Sequence, residues 1–223
     1  MRSHGLIRLL HLVSPTLPVG AYAYSGGLEQ ATALGWVCDE ETAQDWIVGV
    51  ARDSLCRLDV PLVARLWEAH SLDDIREVDR WSDYLLASRE SRELQLEDEQ
   101  MGRALCRLAD DLGIDGASRL RGRERVAFAA VYTLMCQRWE IPREESALGY
   151  VWMWIENQVA AAIKLIPLGQ TAGQRILCTL GDFIPDWVTS GIEIQDVEIG
   201  ASLPGLALVS GLHETQYCRL FRS

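Results

Sequence analysis

The sequence predicts an all-α protein with a single domain, a helical bundle that spans residues 1–223. Apolar residues recur at helical spacing in several stretches, the gaps between these stretches are short, and only one segment alternates as a strand would. A chain of 223 residues is long enough to bury one large core. With 48% hydrophobic and 24% charged residues, its composition is typical of a folded globular protein and not of a disordered one.

The first clear helix follows Asp39, which is an N-cap candidate with Glu40 and Glu41 in the first turn. Its apolar stripe comprises Ile47, Val50, Ala51, Ser54, Leu55 and Leu58. Ser71 and Asp74 together indicate a capping box at the start of a further helix. A second apolar stripe comprises Leu94, Met101, Leu105, Leu108 and Leu112.

The longest predicted helix begins at Pro142, because proline suits the first helical position, and it ends before Pro167. This helix is apolar on most of its sides, which predicts a central place in the fold. Residues 192–199 alternate apolar and polar side chains in two short pieces. Two such pieces cannot form a sheet of any size, so we expect irregular structure there.

The net charge and the spacing of the cysteines indicate which kinds of partner and which cellular compartment to expect. The net charge of −11 disfavours binding to nucleic acid or to an anionic membrane. The most apolar run, residues 147–155, is too short to span a bilayer, and the charged N-terminal stretch does not resemble a signal peptide. Six widely spaced cysteines without a CxxC pair predict buried thiols in a reducing compartment. We therefore expect a cytoplasmic protein with neither nucleic acid nor membrane as a partner.

The histidines give weak metal-site candidates. His4 and His11 are separated by seven residues, or about 10 Å along a helix, which is too far for one ion within one chain. A nickel site that bridges two subunits through this pair is an alternative. His70 and His213 are each predicted to have a cap or surface role.

A carboxylate pattern offers an alternative function. Asp73, Asp74 and Glu77 have the spacing of magnesium-diphosphate enzymes, so an all-α magnesium-dependent enzyme is the alternative hypothesis. Carboxylates alone do not select magnesium, and acidic pairs at helix ends are usually solvated. The chain lacks a phosphate-binding loop, and Ser25 lacks the glycine that a nucleophile elbow places two residues before it. The sequence therefore predicts no catalytic residue, no resident metal and no enzymatic activity.

Three segments depart from the helical periodicity. Residues 17–29 (LPVGAYAYSGGLE) break the rhythm with a proline-glycine turn, which is typical of either a simple helical corner or a contact surface. Residues 158–170 (QVAAAIKLIPLGQ) interrupt an apolar helix with Lys164, whose ammonium group would reach water in the simplest interpretation. Residues 213–223 (HETQYCRLFRS) end an acidic chain with tyrosine, leucine, phenylalanine and arginine. Such a segment is expected to dock against a surface.

Together, these three segments resemble the UreF family of urease accessory proteins. The family pattern of an LPxG turn, an aromatic residue and SxGLE matches residues 17–29, AAxKLxPLGQ matches residues 161–170, and HETQYxRLFRS matches residues 213–223. The resemblance covers the chain from end to end. It implies an all-α fold that is usually dimeric and has no enzymatic activity and no cofactor of its own.

The resemblance also implies a function and a set of partners. Proteins of this family act as chaperones in urease maturation, where nickel is inserted into the urease apoprotein. They join the accessory protein UreD, also called UreH, to the GTPase UreG, and they regulate GTP hydrolysis and help deliver nickel. A homodimer is the expected assembly.

By position, the resemblance implies three groups of partner-binding residues. The first group is Pro18, Gly20, Tyr24, Ser25, Gly27 and Glu29. The second group, which is implicated in UreG regulation, is Lys164 and Gln170. The third group lies in a partner-binding tail, residues 213–223, that becomes ordered on meeting UreD: Glu214, Tyr217, Arg219, Leu220, Phe221 and Arg222.

Overall fold

A computed structural model describes residues 3–223, and within them the chain forms eleven α-helices and no strand. The predicted all-α fold is therefore confirmed. The first six helices are α1 (Ser3–Leu12), α2 (Leu28–Ala33), α3 (Glu40–Val50), α4 (Asp59–Ser71), α5 (Ile75–Ala87) and α6 (Arg92–Asp111). The other five are α7 (Ala117–Arg121), α8 (Phe128–Arg138), α9 (Arg143–Leu165), α10 (Gln170–Ile192) and α11 (Pro204–His213). None of these helices combines the length and the apolarity needed to cross a membrane.

Side chains cap the N-termini of α3, α5 and α6. Asp39 caps α3 as predicted, since its carboxylate accepts a hydrogen bond from the amide of Thr42, whose hydroxyl in turn accepts from the amide of Asp39. Asp74 caps α5 alone. The predicted capping box of Ser71 and Asp74 is wrong, because α4 continues through Ser71, whose hydroxyl donates to the carbonyl of Glu68.

Helix α9 lies at the centre of the fold, as predicted, and packs against α1, α2, α3, α4, α8 and α10. It has 23 residues and shares this length with α10, and Pro142 is its N-cap rather than its first residue. Gly149 lets α1 approach α9 closely. A Cβ atom at this position would lie 2.6 Å from Cδ1 of Leu9 and 2.8 Å from the hydroxyl of Tyr132. The two helices can therefore pack this closely because residue 149 has no side chain.

The segment after α10 is irregular, as predicted from the two short alternating pieces of residues 192–199. A single 3-10 turn covers Asp196–Glu198. Arg65 holds this segment, since its guanidinium donates to the carbonyl of Ile194 at 2.6 Å and to the carboxylate of Asp196 at 2.9 Å. These bonds satisfy polar groups that a neighbouring strand would otherwise pair.

The cysteine prediction holds for only half of the thiols. All six are free. The buried ones are Cys56, Cys106 and Cys136, and the exposed ones are Cys38, Cys178 and Cys218. The prediction of six buried thiols was wrong because wide spacing carries no information on which face of an element a residue occupies.

Candidate functional site

Residues 17–29 and 213–223 lie against each other, although almost the whole chain separates them in sequence. The amide of Ser25 donates to the carbonyl oxygen of Ser223 at 3.0 Å, and the amide of Arg222 donates to the carbonyl of Ala23 at 2.8 Å. The hydroxyl of Ser25 reaches the same oxygen of Ser223 at 2.5 Å. We call residues 17–29 the corner, residues 213–223 the tail, and the two together the corner–tail surface.

Glu29 is the main polar link between the corner and the tail. Its side chain is buried, and its two oxygens accept hydrogen bonds from the amides of Leu220 at 2.7 Å and Phe221 at 2.9 Å. The hydroxyl of Ser25 in turn accepts from the amide of Glu29 at 3.2 Å. Hydrogen bonds to a charged acceptor are about twice as strong as neutral ones, so this carboxylate fixes the position of the tail.

His213 completes the link and is fully buried. Its Nε2 lies 3.1 Å from the carboxylate of Glu29, and its Nδ1 lies 2.6 Å from the carboxylate of Glu93. Arg219 also donates to Glu93, at 2.6 Å. The predicted cap or surface role of His213 is wrong, because α2 and α6 supply carboxylates that close over the ring from both sides.

The turn of the corner depends on glycines with positive φ. Gly27 is the N-cap of α2 at φ +84°, and a Cβ atom there would lie 3.0 Å from Cγ2 of Val209 on α11. Gly20 has φ +81°, which L-residues with side chains rarely adopt. Pro18 precedes this turn and Ser25 follows it. The corner is thus a rigid turn on which α11 packs directly.

An open groove of about 810 Å³ runs beside the corner. Its polar walls include Gln100, Arg103, Arg107 and Arg222. Tyr24 lies at the base and donates from its hydroxyl to Gln100 at 2.7 Å, and burial raises the pKa of this phenol. Three guanidinium groups on a protein of net charge −11 make this groove locally complementary to an acidic segment.

Lys164 brings the third sequence motif to the same place. Its ammonium nitrogen lies 5.6 Å from the centre of the Phe221 ring, which is buried. Gln170 is exposed at the first residue of α10, and in the described part of the chain no hydrogen bond joins it to the corner or the tail. The structure therefore unites the corner, the tail and Lys164, but not Gln170.

The other predicted tail residues differ in exposure. Tyr217 is fully exposed and Leu220 is 65% exposed. Glu214 and Arg222 also face outward. The tail thus buries His213 and Phe221 and presents Tyr217 and Leu220 to solvent.

A buried ion network beneath this surface was not predicted from the sequence. The guanidinium of Arg89 donates to Asp59 and to Asp98 at 2.6 Å each, and both carboxylates are almost completely buried. The hydroxyl of Tyr150 also donates to Asp59, at 3.0 Å. These residues line a cavity of about 90 Å³ that extends to Gly26 of the corner. No local pattern distinguishes them from other polar positions of an acidic chain.

Glu97 connects the network to the tail and has a shifted pKa. Its carboxylate accepts a hydrogen bond from the hydroxyl of Ser223 at 2.6 Å. Burial, together with the neighbouring carboxylates of Asp98 and Glu93, raises the pKa of Glu97 to about 7. The tail thus contacts a carboxyl group that titrates near neutral pH.

The pKa of His70 is lowered, whereas that of Glu97 is raised. It is buried, and its Nε2 lies 2.8 Å from the carbonyl oxygen of Ala130, so the predicted cap or surface role is wrong. Burial lowers the pKa of His70 to about 4, since the charged ring would be desolvated and would face Arg138 and Arg119. The ring is therefore neutral in the folded protein at physiological pH.

These two shifts predict opposing effects of pH on stability. Glu97 binds a proton more tightly when folded, so its contribution to stability is lost as pH rises from 4.5 to about 7. His70 binds a proton less tightly when folded, so its contribution is lost as pH falls from 6.5 to about 4. In Glu97→Gln, we expect the free energy of unfolding relative to wild type to rise by about 1.4 kcal/mol per pH unit between pH 4.5 and 6.5.

Urea unfolding at pH 4.5, 5.5 and 6.5 measures this slope. His70→Gln is the matched variant, and its difference from wild type is expected to change with pH in the opposite direction. A Glu97→Gln difference that does not vary with pH would show that Glu97 titrates in the same range whether the chain is folded or unfolded.

The three carboxylates of the magnesium-enzyme hypothesis each have a different partner. Asp73 pairs with Arg138 at 2.8 Å, Asp74 caps α5, and Glu77 pairs with Arg80 at 3.0 Å. Within residues 3–223 no three histidine, cysteine, aspartate or glutamate side chains are grouped to hold a metal ion. The magnesium hypothesis thus has no converging ligands in the described part of the chain.

His4 and His11 are exposed on α1. The ring of His11 stacks on Trp139, with 5.9 Å between the ring centres. This histidine therefore has a contact within its own chain, and a metal bridge between two subunits stays a prediction.

Comparison with known proteins identifies the same family as the three motifs. A model of the UreF family matches residues 37–181. The chain is 47% identical over 216 residues to the urease accessory protein UreF of Alkalilimnicola ehrlichii, covering 97% of this chain and 95% of that protein. It is 48% identical over 223 residues to the UreF of Azoarcus sp. strain BH72, covering 98% and 95%. It is 46% identical over 218 residues to the UreF of Teredinibacter turnerae, covering 98% of both. The chain belongs to the UreF family of urease accessory proteins.

Proposed function

We propose that this chain is a non-catalytic, cytoplasmic scaffold of urease maturation. It joins UreD (UreH) to the GTPase UreG, regulates GTP hydrolysis and helps deliver nickel to the urease apoprotein. The observation that supports this proposal best is the convergence of the corner, the tail and Lys164 on one surface. This surface carries exposed tyrosine and arginine side chains, which are enriched at protein–protein interfaces.

The chemistry of the corner–tail surface favours protein partners. Tyr217 and Leu220 are exposed on the tail, and Tyr22 is exposed on the corner. Tyrosine and arginine are the residues that most often dominate binding energy at interfaces. The arginines of the adjacent groove add a positive rim that fits an acidic partner segment.

The partner role is tested by capture of the intact chain on immobilised UreD and UreG. We expect Tyr217→Ala combined with Leu220→Asp to weaken capture by UreD at least tenfold, because both side chains are exposed and available to a partner. Deletion of residues 214–223 is expected to abolish that capture.

Leu72→Asp is the matched control, since Leu72 is a leucine that is at least as exposed (79%) in the turn between α4 and α5. Full capture of the Tyr217/Leu220 variant by UreD would remove the tail from the interface. Failure of the wild-type chain to bind either partner would contradict the scaffold role as a whole.

Lys164 is proposed to act in regulating GTP hydrolysis by UreG. It is the only lysine of the chain, and its ammonium group lies over the buried Phe221 ring rather than in a salt bridge of the described residues. In the intact complex, Lys164→Ala is expected to change the rate of GTP hydrolysis by UreG. An unchanged rate in a complex of unchanged composition would exclude this role.

A further inference from the structure

Glu156 of α9 is a carboxylate without a partner in the described part of the chain. Its side chain is half-buried, and among residues 3–223 it forms neither a hydrogen bond nor an ion pair. Burial raises the pKa of this carboxyl group. Other buried carboxylates of the fold are paired, since Asp59 and Asp98 both bind Arg89. Glu156 therefore lacks the cation that a buried carboxylate ordinarily requires.

Glu156 lines a small pocket between the end of α1, the corner and α9, which we call the Glu156 pocket. Its volume is about 80 Å³. Because one water needs about 10–15 Å³ of such space, the pocket has room for one long side chain. Among the described residues that line it, Glu156 is the only charged one, and the walls are mainly apolar: Val13, Leu17, Val19, Ala21, Met153 and Ala160. An occupant thus needs an aliphatic stem that ends in a positive charge, which lysine and arginine both have.

The corner separates the Glu156 pocket from the open groove that carries three arginines. Leu17 and Tyr22 line both of them. Helix α6 closes the groove with Arg103 and Arg107, whereas α9 closes the pocket with Glu156. In the described part of the chain no carboxylate lines the groove and no basic side chain lines the pocket, so the two sides of the corner have opposite charge. A partner segment that crosses the corner therefore matches it best with a basic residue towards α9 and acidic residues towards α6.

The walls of the Glu156 pocket are ordered within this chain alone. Val13, Leu17 and Val19 are each 8% exposed or less. The side-chain amide of Asn157, which follows Glu156 on α9, donates to the carbonyl of Tyr24 at 3.0 Å and ties the helix to the corner. A pocket that is already formed loses little conformational entropy when a side chain enters it.

We propose that the Glu156 pocket receives one lysine or arginine side chain of UreD, whose aliphatic stem packs on the apolar walls and whose cation pairs with Glu156. This assignment rests on the proposed function, because the corner belongs to the surface that we expect UreD to bind. It adds the chemistry by which that partner is recognised. An ion pair that forms only in the complex contributes to specificity as well as to affinity.

Capture of the intact chain by immobilised UreD tests the ion pair. Glu156→Gln keeps the size of the side chain and removes its charge, so it is expected to raise the dissociation constant about tenfold. Glu156→Lys is expected to raise it about 100-fold, because two cations would then meet in the pocket. Glu144→Gln and Glu144→Lys are the matched controls and are expected to leave capture unchanged, since Glu144 is an exposed glutamate in the first turn of the same helix.

Two further measurements separate binding from folding. Glu156→Gln is expected to leave the urea midpoint of unfolding unchanged or to raise it, because it removes a partly desolvated charge that has no partner within residues 3–223. A residue that merely supports the fold would lower the midpoint when replaced. Ala160→Phe fills the pocket from an exposed position and is expected to weaken capture about tenfold while leaving the carboxylate in place.

A charge exchange then identifies the residue of UreD. Its exposed lysines and arginines are replaced by glutamate one at a time, and one of these variants is expected to restore capture of Glu156→Lys. Full capture of Glu156→Lys by wild-type UreD, or a complete set in which no UreD variant restores capture, would overturn the assignment. Loss of capture by UreG with capture by UreD intact would also overturn it. If UreD does not capture even the wild-type chain, the scaffold role itself fails, so the wild-type measurement distinguishes the two failures.

Discussion

Replacing Arg89 by methionine is expected to destabilise the protein by about 3–5 kcal/mol. Among residues 3–223, the guanidinium of Arg89 is the only cation paired with the carboxylates of Asp59 and Asp98, which are 1% and 3% exposed. Without it, two desolvated carboxylates face each other across the buried site. Removing one partner of a buried pair costs far more than the net stability that the intact pair provides.

Urea unfolding followed by circular dichroism measures this loss. Arg52→Met is the matched control, because Arg52 also pairs with an aspartate, Asp53, but on the exposed surface. That variant is expected to change the free energy of unfolding by less than about 0.5 kcal/mol. If Arg89→Met does not fold, the triple variant that also carries Asp59→Asn and Asp98→Asn is expected to recover soluble, helical protein. A loss below about 1 kcal/mol in Arg89→Met would contradict a buried charge network.

Replacing Glu29 by alanine is expected to release the tail from the corner. The variant loses the acceptor of the Leu220 and Phe221 amides and one of the two carboxylates that face His213. Each buried hydrogen bond to a charged group contributes about 1.5–3 kcal/mol, so the two amide bonds alone predict a loss of about 3–6 kcal/mol. The tail then keeps its backbone bonds to the corner, the Phe221 contact and the side-chain bonds of His213 and Arg219 to Glu93 and of Ser223 to Glu97, but it loses the bonds that hold the backbone between Arg219 and Phe221.

Limited trypsin digestion detects the released tail. Cleavage after Arg219 is expected to be at least tenfold faster in Glu29→Ala than in wild type. The reason is that the backbone amides of Leu220 and Phe221, next to the cleavage site, are no longer held by Glu29. Glu41→Ala is the control, since Glu41 is an exposed glutamate in the first turn of α3. Equal cleavage rates in wild type and Glu29→Ala would show that the remaining contacts hold the tail without the Glu29 carboxylate.

The tail contacts suggest how a partner meets this protein. The tail already has hydrogen-bond partners within its own chain, and Phe221 is buried there, whereas Tyr217 and Leu220 are exposed. A partner that binds these exposed side chains would meet a surface that is largely preformed. Preformed surfaces lose less conformational entropy on association than segments that fold on binding.

The sequence by itself determined the helical class, the approximate positions of α3, α5, α6 and α9, and the three family motifs. Periodic apolar residues and local caps such as Asp39 are decided by neighbours within a few positions, so they are readable from the chain alone. The expected irregularity of residues 192–199 was also local, because a strand without a partner strand cannot form a sheet.

Only the tertiary structure decided what the buried polar residues do. His213 pairs with Glu29 and Glu93, and Arg89 joins Asp59 to Asp98, across large separations in sequence. No spacing rule links such residues, since each contact depends on how whole helices pack. The same packing brings the corner against the tail. The sequence therefore identified the segments that we propose to bind partners, and the packing of α2, α6 and α11 brings the corner and the tail into one surface.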